Sequence, residues 1–269
     1  MDKAFRGELT RKWREENPFQ KMSVVPKLTS NKHKPLKTDD LPYQLPSTWC
    51  WVRLGEIFQI TSGGTPSRAN LEYYQGKIPW IKTGEIKWNV LTDSEEKISE
   101  EAINNSSAKL LPVNSVLVAM YGQGLTRGRA AILGIEAACN QAVCALLPNE
   151  NVHPKFLFYY FMEGYHRFRK IAQGGNQENL SAALISGFVF PMPPLQEQIV
   201  IVNFLDEIFE KEVDVQYLIS LEESLETLTN SILRKAFSGE IGTNDESEES
   251  AITLILKILE ERHLSIHHN

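Results

Sequence analysis

The stretch PPLQEQIVIVNFLDEIFEKEVDVQYLISLEESLETLTNSILRKAFSGE, residues 193–240, decides the architecture. Pro194 suits the first position of a helix, where a missing amide hydrogen costs nothing. Gly239 offers a stop after Phe237. Between them there is room for a helix of roughly 63 Å at 1.5 Å per residue. Leu218, Leu221, Leu225, Leu228 and Ile232 alternate spacings of three and four, the mark of a coiled-coil seam. Ile199, Val202, Leu205 and Phe209 carry an apolar stripe upstream. The charged run Glu210-Lys211-Glu212, with Val213, breaks the register between them, as a stutter does. A single helix of this length cannot bury its own stripe, so it calls for a partner helix. The competing arrangement is an arm folded back on its own domain.

Upstream of the arm the pattern changes. Residues 45–193 hold short apolar or β-branched runs bounded by Gly, Pro and Asn. Trp51–Thr61, Ile78–Lys82, Ser115–Tyr121, Ala130–Leu133, Ala142–Leu147 and Gly187–Pro191 are read as strands. Ser99–Ala108 and His153–Ile171 are read as helices, the second with Pro154 in its first turn. The irregular interleaving predicts a mixed α/β globular domain followed by a long coiled-coil-forming helix, an α+β chain as a whole. Residues 1–44 are expected to be a helix end and an extended linker, with Pro18, Pro26, Pro35 and Pro42 among polar residues. The arm is expected over 194–238, and an acidic tail with a short helix over 239–269.

The net charge of −6 is unevenly spread. Residues 1–40 carry 10 basic against 6 acidic side chains, residues 41–195 carry 13 against 12, and residues 196–269 carry 5 against 16. The acidity belongs to the arm and tail, so a local field elsewhere can still attract phosphates. No apolar run is long enough to span a bilayer, and the N-terminus has no apolar signal core. A cytoplasmic protein is expected. Cys50, Cys139 and Cys144 form no CxxC pair and are read as reduced structural thiols. No phosphate loop of the form GxxxxGK[ST] is present, and Gly122, Gly124 and Gly128 have the wrong spacing for GxGxxG. Asn17-Pro18-Phe19 lacks the second proline of a methyltransferase motif. No catalytic residue and no metal ligand is expected.

An internal echo links the two ends. Lys3-Ala4-Phe5-Arg6-Gly7-Glu8-Leu9 matches Lys235-Ala236-Phe237-Ser238-Gly239-Glu240-Ile241. It implies a parent layout of domain, arm, domain, arm, of which residues 1–9 repeat an arm's last turns. Five further blocks follow in order: LPSTWCWVRLGEI at 45–57, SGGTPS at 62–67, IPWIKTGEI at 78–86, PMPPLQEQ at 191–198 and ILRKAFSGE at 232–240. Together they resemble the specificity subunits of type I restriction–modification enzymes. The resemblance implies a DNA-reading target-recognition domain over 45–193 and an arm that docks methyltransferase subunits. Such subunits usually have two recognition domains held apart by two antiparallel arms, each domain reading half of a split site. This chain has one of each, which implies a homodimer through the arms, or else the C-terminal half of a larger gene. Catalysis, S-adenosylmethionine and Mg-ATP would belong to partner methyltransferase and restriction subunits, with no cofactor bound here. The rivals are a coiled-coil adaptor or decoy without specific DNA reading, and a nuclease fragment.

Reading DNA takes cations for phosphates and amide, hydroxyl or guanidinium groups for base edges. Four loops are rich in them. Thr61–Arg68 offers Ser62, Thr65, Ser67 and Arg68, with glycines that allow close backbone approach; a plain turn is the alternative. In Lys82-Thr83-Gly84-Glu85, Lys82 could meet phosphate and Glu85 could accept from cytosine N4, with a solvated turn as the alternative. The strongest candidate is the loop with Tyr121, Gln123, Thr126, Arg127 and Arg129, which a structural hairpin would also explain. Asn140-Gln141 could join it or could tie loops together. The fourth runs through Lys170, Gln173, Asn176 and Gln177, its cations also suiting a helix C-terminus. Trp49, Trp51, Trp80 and Trp88 are read as packing residues rather than base-stacking platforms.

Overall fold

The computed structural model describes residues 1–18, 36–37, 41–122, 124–173, 179–238, 240–241 and 249–266. Two compact units divide the chain, Met1–Glu207 and Ile208–Asn269. The first includes the N-terminal helices and the start of the arm helix as well as the globular region.

Three small sheets build the first unit. A five-stranded sheet has the order β2-β9-β6-β7-β4, formed by Ile60–Ser62, Val143–Leu146, Val116–Ala119, Ala130–Leu133 and Val90–Leu91. Its central strands β6, β7 and β9 are buried at every position. Both of their faces are therefore covered, which explains their unbroken apolar runs. Leu117, Ala119, Ala131, Leu133, Val143 and Ala145 share one core cluster with Ile81 and Cys139. Burial pushes the Cys139 thiol up to about 12, and the Cys144 thiol is raised for the same reason. A three-stranded sheet, β5-β3-β8, joins Lys97–Ile98, Ile78–Ile81 and Ala138–Cys139 around Trp80, Ile98 and Ala102. The third sheet pairs β1, Cys50–Arg53, with β10, Val189–Met192.

Two of the expected elements are split. The single strand expected over Trp51–Thr61 is β1, a helical turn α3 at Leu54–Ile57, and β2. Glu56 closes that turn by accepting from the Arg53 amide at 3.0 Å, a local bond that outcompetes continued extension. The single helix expected over His153–Ile171 is α5, Pro154–Glu163, and α6, Tyr165–Gln173. It breaks at Gly164, where the Phe168 ring fills the space a side chain would need. Short elements with too few residues for a readable period also occur, among them α4 at Glu100–Asn104 and α7 at Ala182–Ser186.

α1, Asp2–Phe5, and α2, Arg11–Glu16, belong to the first unit. Phe5 is 1% exposed, its ring 5.1 Å from Phe156 and 6.2 Å from Tyr160. The extended segment expected after α2 lies largely outside the described residues.

The arm helix, α8, runs unbroken over Leu195–Phe237, about 65 Å at 1.5 Å per residue. Its first turns bury Glu197, Gln198, Ile201, Val202 and Leu205, one face at helical spacing. The Glu197 carboxylate accepts from Thr10 Oγ1 at 2.6 Å, from Trp49 Nε1 at 2.8 Å and from Arg14. Gln198 accepts from the His153 amide and donates to the Asn151 and Pro193 carbonyls, each at 2.9 Å. These buried polar groups are satisfied, as burial requires. In the second unit Leu218, Leu221, Leu225, Leu228 and Ile232 are all exposed. So are Ile252, Leu254, Ile255, Ile258 and Leu259 of the tail helix α9, Ala251–Ile266. No helix among the described residues is long and apolar enough to cross a membrane.

Candidate nucleic-acid interface

Strand pairing brings three of the four loops to one rim of the five-stranded sheet. Ser62 at the end of β2 pairs with Cys144, and Ala119 at the end of β6 pairs with Val143. One step further, the Met120 amide donates to the Ala142 carbonyl at 2.9 Å. β3 and β8 run parallel, so Ile81 pairs with Cys139 and the Asn140 amide donates to the Ile81 carbonyl at 3.0 Å. The turn through Asn140 and Gln141 is thus the hub, with loop 61–68 on one side, Lys82 on another and loop 120–129 on the third. The Thr65 hydroxyl bonds to the Gln141 side-chain oxygen, which realises the tie between loops.

The glycines of the first loop serve the protein's own packing. A Cβ on Gly63 would strike the Cys139 and Asn140 carbonyls, and one on Gly64 would strike the Ser107–Ala108 backbone. The close approach is therefore chain against chain. Thr65, Ser67 and Arg68 remain exposed, while Ser62 is half-buried.

Arg68 and Lys82 are held by carboxylates. Arg68 pairs with Glu96 at 2.8 Å and lies over the Tyr74 ring at 4.0 Å. Lys82 pairs with Glu95 at 2.9 Å and Glu96 at 3.1 Å. Arg68 and Lys82 together hold the Glu96 carboxyl below its usual range, against a smaller opposing effect of burial. Glu85, a candidate acceptor for cytosine, is committed elsewhere: it accepts from the Lys82 and Glu95 amides at 2.8 and 3.0 Å. Glu96 thus links the first two loops through Arg68 and Lys82.

In the third loop, Tyr121 is exposed, and Thr126 and Arg129 are half-buried. Arg127 is 8% exposed, so its side chain lies beneath the surface rather than on it. That revises its expected place among the outward-facing groups: the chain turns inward after Thr126, where the Arg129 amide returns to the Thr126 carbonyl at 3.0 Å. Arg129 Nε is buried and has no hydrogen-bond partner among the described residues. Gln123 lies outside the described residues.

Sequence reasoning missed the clamp on this loop. Arg169 donates to the Gly124 carbonyl at 2.8 Å and to the Arg127 carbonyl at 2.7 Å, and Tyr165 donates to the Leu125 carbonyl at 2.5 Å. Both clamp residues sit on α6, four apart and on one face, which is the only trace they leave in the sequence. The fourth loop leaves from the end of this same helix and returns at Leu180, whose amide donates to the Met120 carbonyl at 3.1 Å. Lys170 is exposed. Gln173 ends α6, its side chain outside the description, and Asn176 and Gln177 lie outside the described residues. Among the described residues, Lys109, Arg129 and Lys170 form no ion pair with a carboxylate, and Lys109 reaches the Thr61 hydroxyl at 3.1 Å. The Trp residues pack: Trp49 and Trp80 are buried, and Trp88 lies edge-on to Phe158 and Tyr165.

Comparison with known proteins bears on the family and the fold. The family described as the type I restriction modification DNA specificity domain matches residues 46–222. The type I restriction enzyme EcoR124I/EcoR124II specificity subunit of Escherichia coli is 31% identical over 186 residues, covering 68% of this chain and 42% of its own. The EcoDI specificity subunit of the same species is 24% identical over 280 residues, covering 96% and 58%. The chain thus spans about half the length of the curated relatives it matches. Among solved structures, the HsdS subunit from Thermoanaerobacter tengcongensis aligns with a TM-score of 0.56 at 23% identity, over 74% of this chain and 47% of that one. A structure of the assembly of a type I system aligns at 0.59 and 23%, over 74% and 48%. At such identity the structures speak for the fold.

Proposed function

Because the chain belongs to the type I restriction–modification DNA specificity family, we propose that its first unit reads one half-site of duplex DNA through the rim centred on Asn140-Gln141. One observation carries this reading: β-pairing converges Thr65, Ser67, Arg68, Lys82, Tyr121, Thr126, Arg129 and Gln141 on one edge, with Lys170 on the helix that clamps it. That set mixes hydroxyls and an amide for base edges with cations for phosphates. The major groove, where all four base pairs differ, is the surface it would read.

The arm would dock methyltransferase subunits and pair with a second copy, so that two rims face one duplex at a set separation. The exposed seam from Leu218 to Ile232 supports a partner helix. Chemistry would be done by partner methyltransferase and restriction subunits using S-adenosylmethionine and Mg-ATP, in the cytoplasm, and the chain itself would be non-catalytic.

A second reading has its own support. Arg68 and Lys82 are already neutralised by Glu95 and Glu96, and Arg127 is buried. An adaptor without specific DNA reading would tolerate this. Mapping methylated bases in cells with and without this chain separates the two. A split motif that appears only with the chain supports DNA reading; methylation that does not depend on it supports the adaptor.

A further inference from the structure

The repeated word at the two ends of the chain is repeated in backbone as well as in sequence. Residues 3–9 and 235–241 share Lys, Ala, Phe, Gly and Glu in the same places. The Arg6 amide donates to the Asp2 carbonyl at 3.1 Å, and the Ser238 amide to the Arg234 carbonyl at 2.9 Å. The Glu8 and Leu9 amides return to the Lys3 carbonyl at 2.9 and 3.1 Å. The Glu240 and Ile241 amides return to the Lys235 carbonyl at 2.9 and 3.3 Å. At the described residues both helix ends close alike, with amides past the helix satisfying a terminal carbonyl.

Their surroundings are opposite. Ala4 and Phe5 are each 1% exposed. Phe5 fills a cradle against Phe156 and Tyr160, and its carbonyl accepts from the Tyr43 hydroxyl at 3.1 Å. Gly7, in the left-handed region at φ 72°, lies against Pro46 and gives its carbonyl to Arg14. Phe237, the counterpart of Phe5, is 90% exposed. An aromatic side chain on a finished helix end, shaped like one that has a seat, is a ligand without its receptor.

We propose that residues 235–241 are a docking motif for the Phe156–Tyr160 cradle of a second copy of this chain, where they exchange with the residues 3–9 that fill it in cis. The occupant is specified by the word itself: the cradle already accepts this sequence in this backbone form. The two ligands are not equal. Ser238 stands where Arg6 lies 4.5 Å over the Tyr43 ring, so the trans motif forgoes that cation–π contact. The cis segment also has the advantage of tethering. Antiparallel arms would offset this, because each arm end then runs toward the start of its partner's helix. Seam pairing would favour the exchange but is a separate contact, and the two are tested apart.

The experiment uses the full chain with Phe237→p-benzoylphenylalanine, irradiated and mapped by mass spectrometry, with sedimentation run in parallel. Interchain cross-links to the α5 segment around Phe156 and Tyr160, or to Pro46, are expected. A synthetic peptide of residues 1–12 should abolish them, and the same peptide with Phe5→Ala should not. Phe5→Ala in the chain itself should raise cross-linking severalfold. Cross-links confined to the arm helices, or links indifferent to the wild-type peptide, would overturn the docking. A sedimenting dimer without cradle cross-links sinks this inference and leaves arm pairing intact. A chain that stays monomeric in sedimentation and gives no interchain cross-link would also overturn docking on a second copy, even if its cradle binds labelled peptide 229–243.

Discussion

Glu197 shows how much one side chain decides. It is a buried carboxylate on the first turn of the arm helix, and Thr10, Arg14 and Trp49 all donate to it. It ties the N-terminal helices, the entry strand region and the arm to one point. Removing one partner of a buried pair leaves the others unpaired, which costs about 3–5 kcal/mol. Glu197→Ala should therefore lower the urea midpoint of the full chain steeply, whereas an exposed carboxylate such as Glu222 replaced by Ala should leave it within about 0.5 kcal/mol. The two arginines of the third loop separate along the same line. Arg129→Ala should weaken binding to a cognate duplex by about 1–3 kcal/mol with the fold intact, if it contacts a base. Arg127→Ala should show first as lost stability, because its side chain is buried. Calorimetry and DNA titration on both variants check this; the reverse pattern would place Arg127 at the DNA and Arg129 in the scaffold.

At the scale of elements, α5 carries a pH response. His153 caps this helix, its Nδ1 accepting from the Lys155 amide at 3.3 Å. Burial, and next the Lys155 charge, hold its pKa below the ordinary value, while Asp206 opposes them. The unfolded chain therefore takes up a proton near pH 6.5 that the folded chain resists. Stability is complete above that pH and falls as the pH drops through it toward the lowered folded value. Asn also caps helices and does not titrate, so His153→Asn should flatten the thermal midpoint between about pH 5 and 7. The arm responds differently. Leu221 and Leu225 are exposed, so Leu221→Glu with Leu225→Glu should leave the unfolding of the first unit unchanged and weaken self-association in sedimentation, any remaining dimer being held by the 235–241 contact. A loss of thermal stability without a change in mass would mean that the seam is covered within the chain.

For the molecule as a whole, pairing of two copies would make symmetry the next question. Two copies related by a twofold axis would read the same half-site twice in opposite orientation, so the methylated motif should be a split palindrome. A split motif with two different halves would instead call for a second, different recognition domain beside this one. Affinity for the cognate duplex should fall with salt according to the phosphates neutralised, and the offset from random duplex should persist. Loss of that offset favours the adaptor.

Residues 193–240 determined the arm by themselves, because a period of three and four is a local property that needs no knowledge of the rest of the chain. The central strands were equally legible, since strands buried on both faces are continuous apolar runs. Composition also marked the loops of the rim, as glycines among hydroxyl, amide and basic residues. Which of those side chains face outward is not a local property. Arg127 and Arg129 are two residues apart in a glycine-rich loop and read alike, yet Arg169 and Tyr165, some forty residues on, set the path that buries one more than the other. Arg68 and Lys82 read as free cations until Glu96 reaches both. Residues 3–9 and 235–241 are nearly one word, and only tertiary contacts decided that one is core and the other exposed. Periodicity is written within a few turns of chain, whereas burial and charge pairing depend on neighbours that the sequence places far away.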